Sequence, residues 1–287
     1  MKYGLYLPNF GAFGTARVMA DLAYDAEQAG WDGFFIWDHV ARPIIYDLVD
    51  PWIAMTAIAM NTETIKFGAM VTPLARRRPQ VLARESVSLD VLSGGRLILG
   101  VGLGSGRPQE FANFDEETDM KIRAKMTDEA LDVIAALWSG EVVNHEGEFY
   151  TARDSQFLPR PISRPRIPIW IAGYYPYKKP MQRASRWDGM YILYDEAEDK
   201  VEALRETIAY IKSQRTDNTL FDYVFQDPIP TGSDRMTMIE NAQKAHDAGA
   251  TWWLTNIDPR RYDFEWDSEW DFDLMRQTIL DGPPVTS

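Results

Sequence analysis

The chain contains no cysteine. That excludes disulfides, thiolate nucleophiles and cysteine-ligated zinc or iron–sulfur centres. Histidine is almost as scarce: His39, His145 and His246 are the only three in 287 residues, too few for a histidine-rich metal centre. Positive charge is in deficit, with 30 Lys and Arg against 43 Asp and Glu and a formal charge of −13. Part of the excess gathers in the acidic run from Asp263 to Asp273. Nucleic acid and anionic membrane surfaces both call for clustered cations, so neither partner is expected. No apolar run approaches the ~18 residues of a membrane span. Met1-Lys2-Tyr3-Gly4-Leu5 leads into a strand-like segment, with nothing resembling a secretory leader, and a cytoplasmic location is the expectation.

What is present is apolar content of 45%, enough for a sizeable core, arranged as short β-branched and aromatic runs alternating with segments of helical period. The pattern predicts strands over Tyr3–Pro8, Gly33–Trp37, Phe67–Thr72, Arg96–Val101, Ile169–Ala172, Gly189–Leu193, Asp222–Phe225 and Thr251–Thr255. Between them, Met19, Leu22, Ala23 and Ala26 form one helical stripe closed by Gly30. Asp50-Pro51 and Pro79 open two more helices, the second with Leu82, Leu89 and Leu92 toward the core. Lys121–Trp138 reads as a long amphipathic helix with Met126, Leu131, Ile134 and Leu137 inward. Further helices are predicted over Glu196–Ser213, Asp234–Ala248 and Glu269–Leu280, and a β-hairpin over Glu141–Thr151. Eight strands with interleaved helices and no linker-like break make a (β/α)8 barrel, one domain over 1–287, with an insertion after the fourth strand and the hairpin before the fifth. A doubly wound open sheet is the other reading, but no Gly-rich dinucleotide turn follows the first strand.

In such a barrel the residues just past each strand carry the chemistry. Here they are Asn9, Asp38-His39, Thr72, Gly102 to Ser105, Gly173-Tyr174, Tyr194, Gln226-Asp227 and Asn256 to Asp258. His39 is the one histidine at a strand end, able to bond a substrate, pass a proton, or simply tie its loop to a neighbour. Asp38 is better suited to orient His39 or cap a loop than to react. The alternating glycines of Gly100-Val101-Gly102-Leu103-Gly104-Ser105-Gly106, echoed by Ala172-Gly173, either let a flat ring or phosphate reach the backbone or mark tight packing. Arg76-Arg77-Arg78 before Pro79 either grips a phosphate or pairs with nearby acids. Arg260-Arg261 falls in the quarter where barrels of this kind often hold phosphate. Trp37, Trp170, Trp252 and Trp253 read as packing, while Tyr174, Tyr175 and Tyr177 are suited to stacking on a ligand.

Specific strings then carry a family resemblance. Thr72-Pro73-Leu74-Ala75-Arg76-Arg77-Arg78-Pro79, Ala83-Arg84-Glu85, Leu92-Ser93-Gly94-Gly95-Arg96, Trp37-Asp38-His39, Phe157-Leu158-Pro159, Pro168-Ile169-Trp170-Ile171-Ala172-Gly173 and Ala184-Ser185-Arg186-Trp187-Asp188-Gly189 resemble the luciferase-like monooxygenase superfamily, in the same order along residues 1–255. The resemblance implies a bacterial-luciferase-like barrel, commonly a homodimer, holding FMN or the deazaflavin coenzyme F420 at the strand ends for hydride transfer to, or oxygenation of, a small organic substrate. It implies a non-proline cis peptide at Met70-Val71 beneath the coenzyme ring and places Asp38 and His39 beside that ring, with His39 as proton donor or acceptor. Thr72, Gly104, Ser105, Ala172, Gly173 and Tyr174 would line ring or phosphate. Deazaflavin-dependent dehydrogenases of the sugar-phosphate type place a Glu where Ser105 aligns and a Lys where Tyr194-Asp195 stand. Neither is present here. The competing readings are a flavin-binding protein without turnover and a hydrolase built on strand-end acids such as Asp38, Asp195, Asp227 or Asp258, although no pair of these has motif support.

Overall fold

The strands are apolar on both faces, as parallel strands covered by helices must be: Gly33–Ile36 and Leu99–Gly102 are buried at every position. A computed structural model describes residues 1–44, 46–194, 197–227 and 235–285. Its strands are β1 (Lys2–Leu7), β2 (Gly33–Ile36), β3 (Lys66–Ala69), β4 (Thr72–Pro73), β5 (Leu99–Gly102), β6 (Val142–Glu146), β7 (Thr151–Gln156), β8 (Ile169–Tyr174), β9 (Gly189–Leu193), β10 (Asp222–Gln226) and β11 (Trp252–Asn256). The helices are α1 (Ala16–Gln28), α2 (Pro51–Asn61), α3 (Pro79–Leu92), α4 (Met120–Trp138), α5 (Lys178–Ala184), α6 (Lys200–Gln214), α7 (Arg235–Asp247) and α8 (Phe272–Leu280).

One parallel sheet runs in the order β3-β2-β1-β11-β10-β9-β8-β5-β4. β3 and β4 are two halves of one strand, so the order closes on itself. β3 bonds β2 on one edge, and on the other Phe67 reaches the start of β5's segment through Phe67 N–H to the Arg96 carbonyl (3.2 Å) and Ile98 N–H to the Phe67 carbonyl (2.9 Å). β4 then continues the pairing with Thr72 opposite Val101. This is a closed eight-stranded barrel, not the open sheet that was the alternative.

The barrel interior is filled. Phe35, Ile98, Trp170, Val224, Trp252 and Leu254 are buried there, with Trp170 and Trp252 edge-to-face at 5.2 Å and Phe35 5.3 Å from Trp170. Gly189 makes room for this plug, since a Cβ there would lie 2.4 Å from the Trp170 ring. Because aromatic rings occupy the lower barrel, a ligand has space only above them, at the C-terminal ends of the strands.

The turn that brings α3 into β5 explains the Leu92-Ser93-Gly94-Gly95-Arg96 string. Gly94 and Gly95 both have positive φ, 68° and 82°, the left-handed backbone that ends a helix sharply. Arg96 then turns inward, buried, and donates to the carbonyls of Ser93, Ile65, Ala59 and Thr62 and to the Thr62 hydroxyl. One guanidinium thus fastens the end of α2 to the start of β5.

The structure departs from the sequence reading in several places. The third strand, read as continuous over Phe67–Thr72, is broken at Met70-Val71, whose peptide bond is cis as the resemblance implied. The hairpin runs on to Gln156, its turn falling at 147–150. α5, a seven-residue helix with Pro180 in its first turn, lies between β8 and β9, where the sequence reading placed no helix. Leu92 is 47% exposed rather than core-facing, because the helix ends there, and Met126 is only half buried. The predicted helix starts at Glu196 and Asp234 lie outside the described residues. Among the described residues no helix is long and apolar enough to cross a membrane.

Arg96→Met should lower unfolding free energy by about 3 kcal/mol, because several buried carbonyls lose a charged donor together. Urea denaturation reads this directly, and a loss below about 1 kcal/mol would contradict the clamp.

Candidate active site

All eight barrel strands end at one cavity of about 1270 Å³. Its floor is made where the β3–β4 strand bulges inward at Met70-Val71. That bulge fits because β5 is glycine-rich on the facing side. A Cβ on Gly100 would lie 2.3 Å from the Ala69 carbonyl oxygen, and one on Gly102 would lie 2.3 Å from Val71 Cγ2. The alternating glycines therefore admit a neighbouring strand, and the strand in turn presents Val71 to the cavity. Gly173 is similar: a Cβ there would strike Pro180 at 2.2 Å, so glycine lets the start of α5 close over β8.

Beside the floor, Tyr6 donates from its hydroxyl to the Met70 carbonyl at 3.1 Å, and Tyr191 donates to Gln226 Oε1 at 2.5 Å. Burial pushes the Tyr6 phenol well above its ordinary pKa, so it stays a neutral donor.

The wall is held by charge. Arg76 donates to the Asp38 carboxylate at 2.5 Å, to the Asp38 carbonyl at 2.7 Å, and to Glu110 Oε2 at 2.5 Å. Arg77 takes the second Asp38 oxygen at 3.0 Å. The other Glu110 oxygen, Oε1, lies 2.6 Å from His39 Nδ1. The side chains of Asp38 and Glu110 are 0% and 1% exposed. Burial alone would raise the Glu110 pKa, but the His39 hydrogen bond and charge, with Arg76, outweigh it and hold the carboxyl below its usual range. An ionised carboxylate only accepts, so Nδ1 carries the hydrogen and Nε2 is left as the nitrogen that can exchange a proton. Asn9 fixes the same loop from below, its amide donating to the His39 carbonyl at 3.0 Å and accepting from the His39 N–H at 3.2 Å.

Of the residues singled out from sequence, Asp38, His39, Met70, Val71, Gly104, Ser105, Ala172, Gly173 and Tyr174 all line this cavity. Thr72 does not: it is fully buried one residue past Val71, on the opposite side of the strand. Asp38 does not orient His39, which was one of its two expected roles. Its carboxylate is committed to Arg76 and Arg77, and Glu110 does the orienting. Of the arginine cluster, Arg76 and Arg77 pair with acids, as one of its two readings had it, while Arg78 is exposed. Tyr177 lines the cavity, whereas Tyr175 bonds Glu206 outside it. Trp37, read as packing, lines it as well, its ring 5.6 Å from His39. Among the strand-end acids of the hydrolase reading, Asp227 binds the buried Arg261 and Asp258 binds Arg260. Neither lines the cavity, and Asp195 lies outside the described residues. Gln226, named among the strand-end residues, lines the cavity too, whereas sequence reasoning missed Tyr6, Arg42, Glu110 and Tyr191. Tyr6 and Tyr191 were legible as polar rings at inward strand positions, whereas Glu110 sits in the insertion loop and carried no periodic signal.

The charge lining the cavity is the reverse of the whole chain: nine Lys and Arg face three carboxylates. The luciferase-like monooxygenase profile matches residues 1–273. The chain belongs to that family. Among its curated relatives, an F420-dependent glucose-6-phosphate dehydrogenase of Microbacterium testaceum (strain StLB037) is 31% identical over 182 residues, covering 61% of this chain and 52% of the relative. One of the same name from Beutenbergia cavernae is 36% identical over 163 residues, covering 54% and 47%. The chain thus spans about half the length of the curated relatives it matches. The fold of the family is seen in an F420-dependent secondary alcohol dehydrogenase in complex with an F420–acetone adduct, with TM-score 0.75 and 17% identity over 89% of this chain and 93% of that one. Monooxygenase RslO1 from Streptomyces bottropensis gives TM-score 0.75 and 18% identity, over 97% and 96%.

Glu110→Gln keeps the shape of this luciferase-family wall but removes the charge that Arg76 and His39 face. The carboxyl is depressed in the folded state, so its stabilising contribution is complete above its ordinary value of 4.5 and is lost as pH falls through the lower folded value. The variant should be less stable than the parent by about 3 kcal/mol at pH 7, with the gap narrowing on acidification. Urea melts at pH 7 and in the acid range measure both, and a gap independent of pH would count against an ionised Glu110.

Proposed function

We propose that the protein is a flavin- or deazaflavin-dependent oxidoreductase acting on a small organic substrate at the barrel mouth. The observation that carries this reading is the Glu110-held imidazole of His39 lining the same cavity as Val71 in a barrel of this family. The residues present fit a flat coenzyme. Val71, Gly102 and Ala172 offer a shallow apolar surface, and Lys121 and Lys179 on the α4–α5 side offer positive charge for a phosphate. Such a coenzyme supplies two-electron chemistry, exchanging hydride at its ring and, for FMN, opening reaction with oxygen. A substrate that loses hydride must also shed a proton, and one that gains hydride must take one up. His39 Nε2 is the group available for that proton, while Glu110 keeps Nδ1–H in place and stabilises the imidazolium that forms. Tyr6 and Tyr191 brace the floor through their hydrogen bonds to Met70 and Gln226, and the aromatic plug keeps water from below. The named relatives support the deazaflavin over FMN. Their sugar-phosphate substrate is not carried over, because Ser105 stands where such enzymes place a Glu.

Titration with F420 and with FMN, followed by coenzyme fluorescence, should give micromolar binding of one of them. Binding of neither would end this reading. Gly102→Ala should weaken that binding about tenfold by pushing Val71 into the cavity, since the new Cβ meets Cγ2 at 2.3 Å. Undiminished binding would remove Val71 from the ring site. With a turnover assay in hand, His39→Ala should slow the reaction about a hundredfold or more. An unchanged rate would take His39 out of the proton transfer.

A further inference from the structure

Apart from Arg76, which is committed to Asp38 and Glu110, the positive charge of the cavity falls into two groups. One belongs to α4, α5 and the turn that follows α5. The other comes from three different strand-end loops: Arg42 after β2, Arg107 after β5 and Arg260 after β11. The guanidinium of Arg42 lies 4.6 Å from the centre of the Phe10 ring and 5.5 Å from that of Trp266, and Arg260 lies 5.7 Å from the same Trp266 ring. Two guanidinium groups thus share one indole. Arg260 is balanced by Asp258 at 2.6 Å. Arg42 has no carboxylate bonded to it, and its Nε is buried without a hydrogen-bond partner. The carboxylate that acts on it is Glu110, which is already committed to Arg76 and His39. Burial first, and then the neighbouring Arg107, work against the Arg42 charge, while the contributions of Tyr46 and Glu110 favour it. A planar donor fixed between aromatic rings, with donors unfilled and like charges beside it, is arranged for an anion brought in by a ligand.

We propose that Arg42, assisted by Arg107 and Arg260, forms an anion subsite on the His39 side of the cavity, taking a carboxylate or phosphate group. Resting on the oxidoreductase reading, the anion is the substrate's, and the substrate class becomes small organic acids or phosphate esters. The same chemistry could be presented by the coenzyme's own phosphate. The subsite selects substrate by charge through Arg42, which makes no hydrogen bond to Glu110, Arg76 or His39, so its loss changes affinity and leaves those three in place.

The test uses inorganic phosphate as the probe, in a buffer free of other multivalent anions. Isothermal titration of the full chain should show millimolar phosphate binding, weakened about tenfold or more in Arg42→Met, which keeps the apolar packing on Phe10 and Trp266. Arg107→Gln, at an exposed position, provides a second variant that does not depend on that packing and should weaken binding several-fold. The titrations are then repeated with saturating F420 or FMN. Phosphate binding that persists assigns the subsite to substrate, whereas phosphate displaced by the coenzyme assigns it to the coenzyme's phosphate. No phosphate binding to the parent chain, or equal binding in parent and both variants, overturns the subsite. Should neither coenzyme bind while phosphate still depends on Arg42, the oxidoreductase reading fails and the anion subsite stands.

Discussion

The arrangement of the site depends on one guanidinium. Arg76 lies between the carboxylates of Asp38 and Glu110 and, through them, joins the loops that follow β2, β4 and β5. Asp38 and Glu110 are almost wholly buried, and each would be costly to ionise there alone. With Arg76 and Arg77 opposite them the charges balance, two against two, and each of the four carboxylate oxygens has a named donor. A buried network of this kind is weak as a source of stability but strong as a constraint on position, because removing any partner strands the rest. What it positions is His39: one carboxylate oxygen fixes the tautomer and plane of an imidazole whose backbone Asn9 has already fixed.

The floor rests on a packing constraint of a different kind. β5 gives up side chains at Gly100 and Gly102 so that the adjoining strand can bulge across it, and the bulge presents Val71. Beneath it, the rings of Phe35, Trp170 and Trp252 close the barrel. Charge therefore organises the wall and absence of side chains organises the floor. The acidic surface of the chain and the basic lining of the cavity are consistent with this division: anions are repelled in general and welcomed at one place.

Much of this was legible in the sequence. Period, punctuation and apolar runs gave the eight barrel strands to within a few residues, because parallel strands buried on both faces leave unbroken apolar runs such as Phe34-Phe35-Ile36. The Leu92–Arg96 string was legible as specific, though its reason, a helix stop followed by a carbonyl-binding arginine, is three-dimensional. The strand-end rule found Asp38, His39 and the glycines. It failed at Thr72, where a single step along the strand reverses the side chain, and at Glu110, which reaches His39 from an irregular loop across 71 residues of sequence. It also misread the partner of Asp38, since the arginines that claim it lie two loops away. Ion pairs between loops leave no periodic trace, so such partners emerge only from the fold.

The most direct measurement of the central claim is a crystal structure of the chain grown with saturating F420 or FMN. The account predicts coenzyme density within the barrel mouth, its ring against Val71, Gly102 and Ala172 and within reach of His39 Nε2, with the Asp38–Arg76–Glu110 wall unmoved. Density for the coenzyme outside this cavity, or an empty cavity under saturating coenzyme, would contradict it.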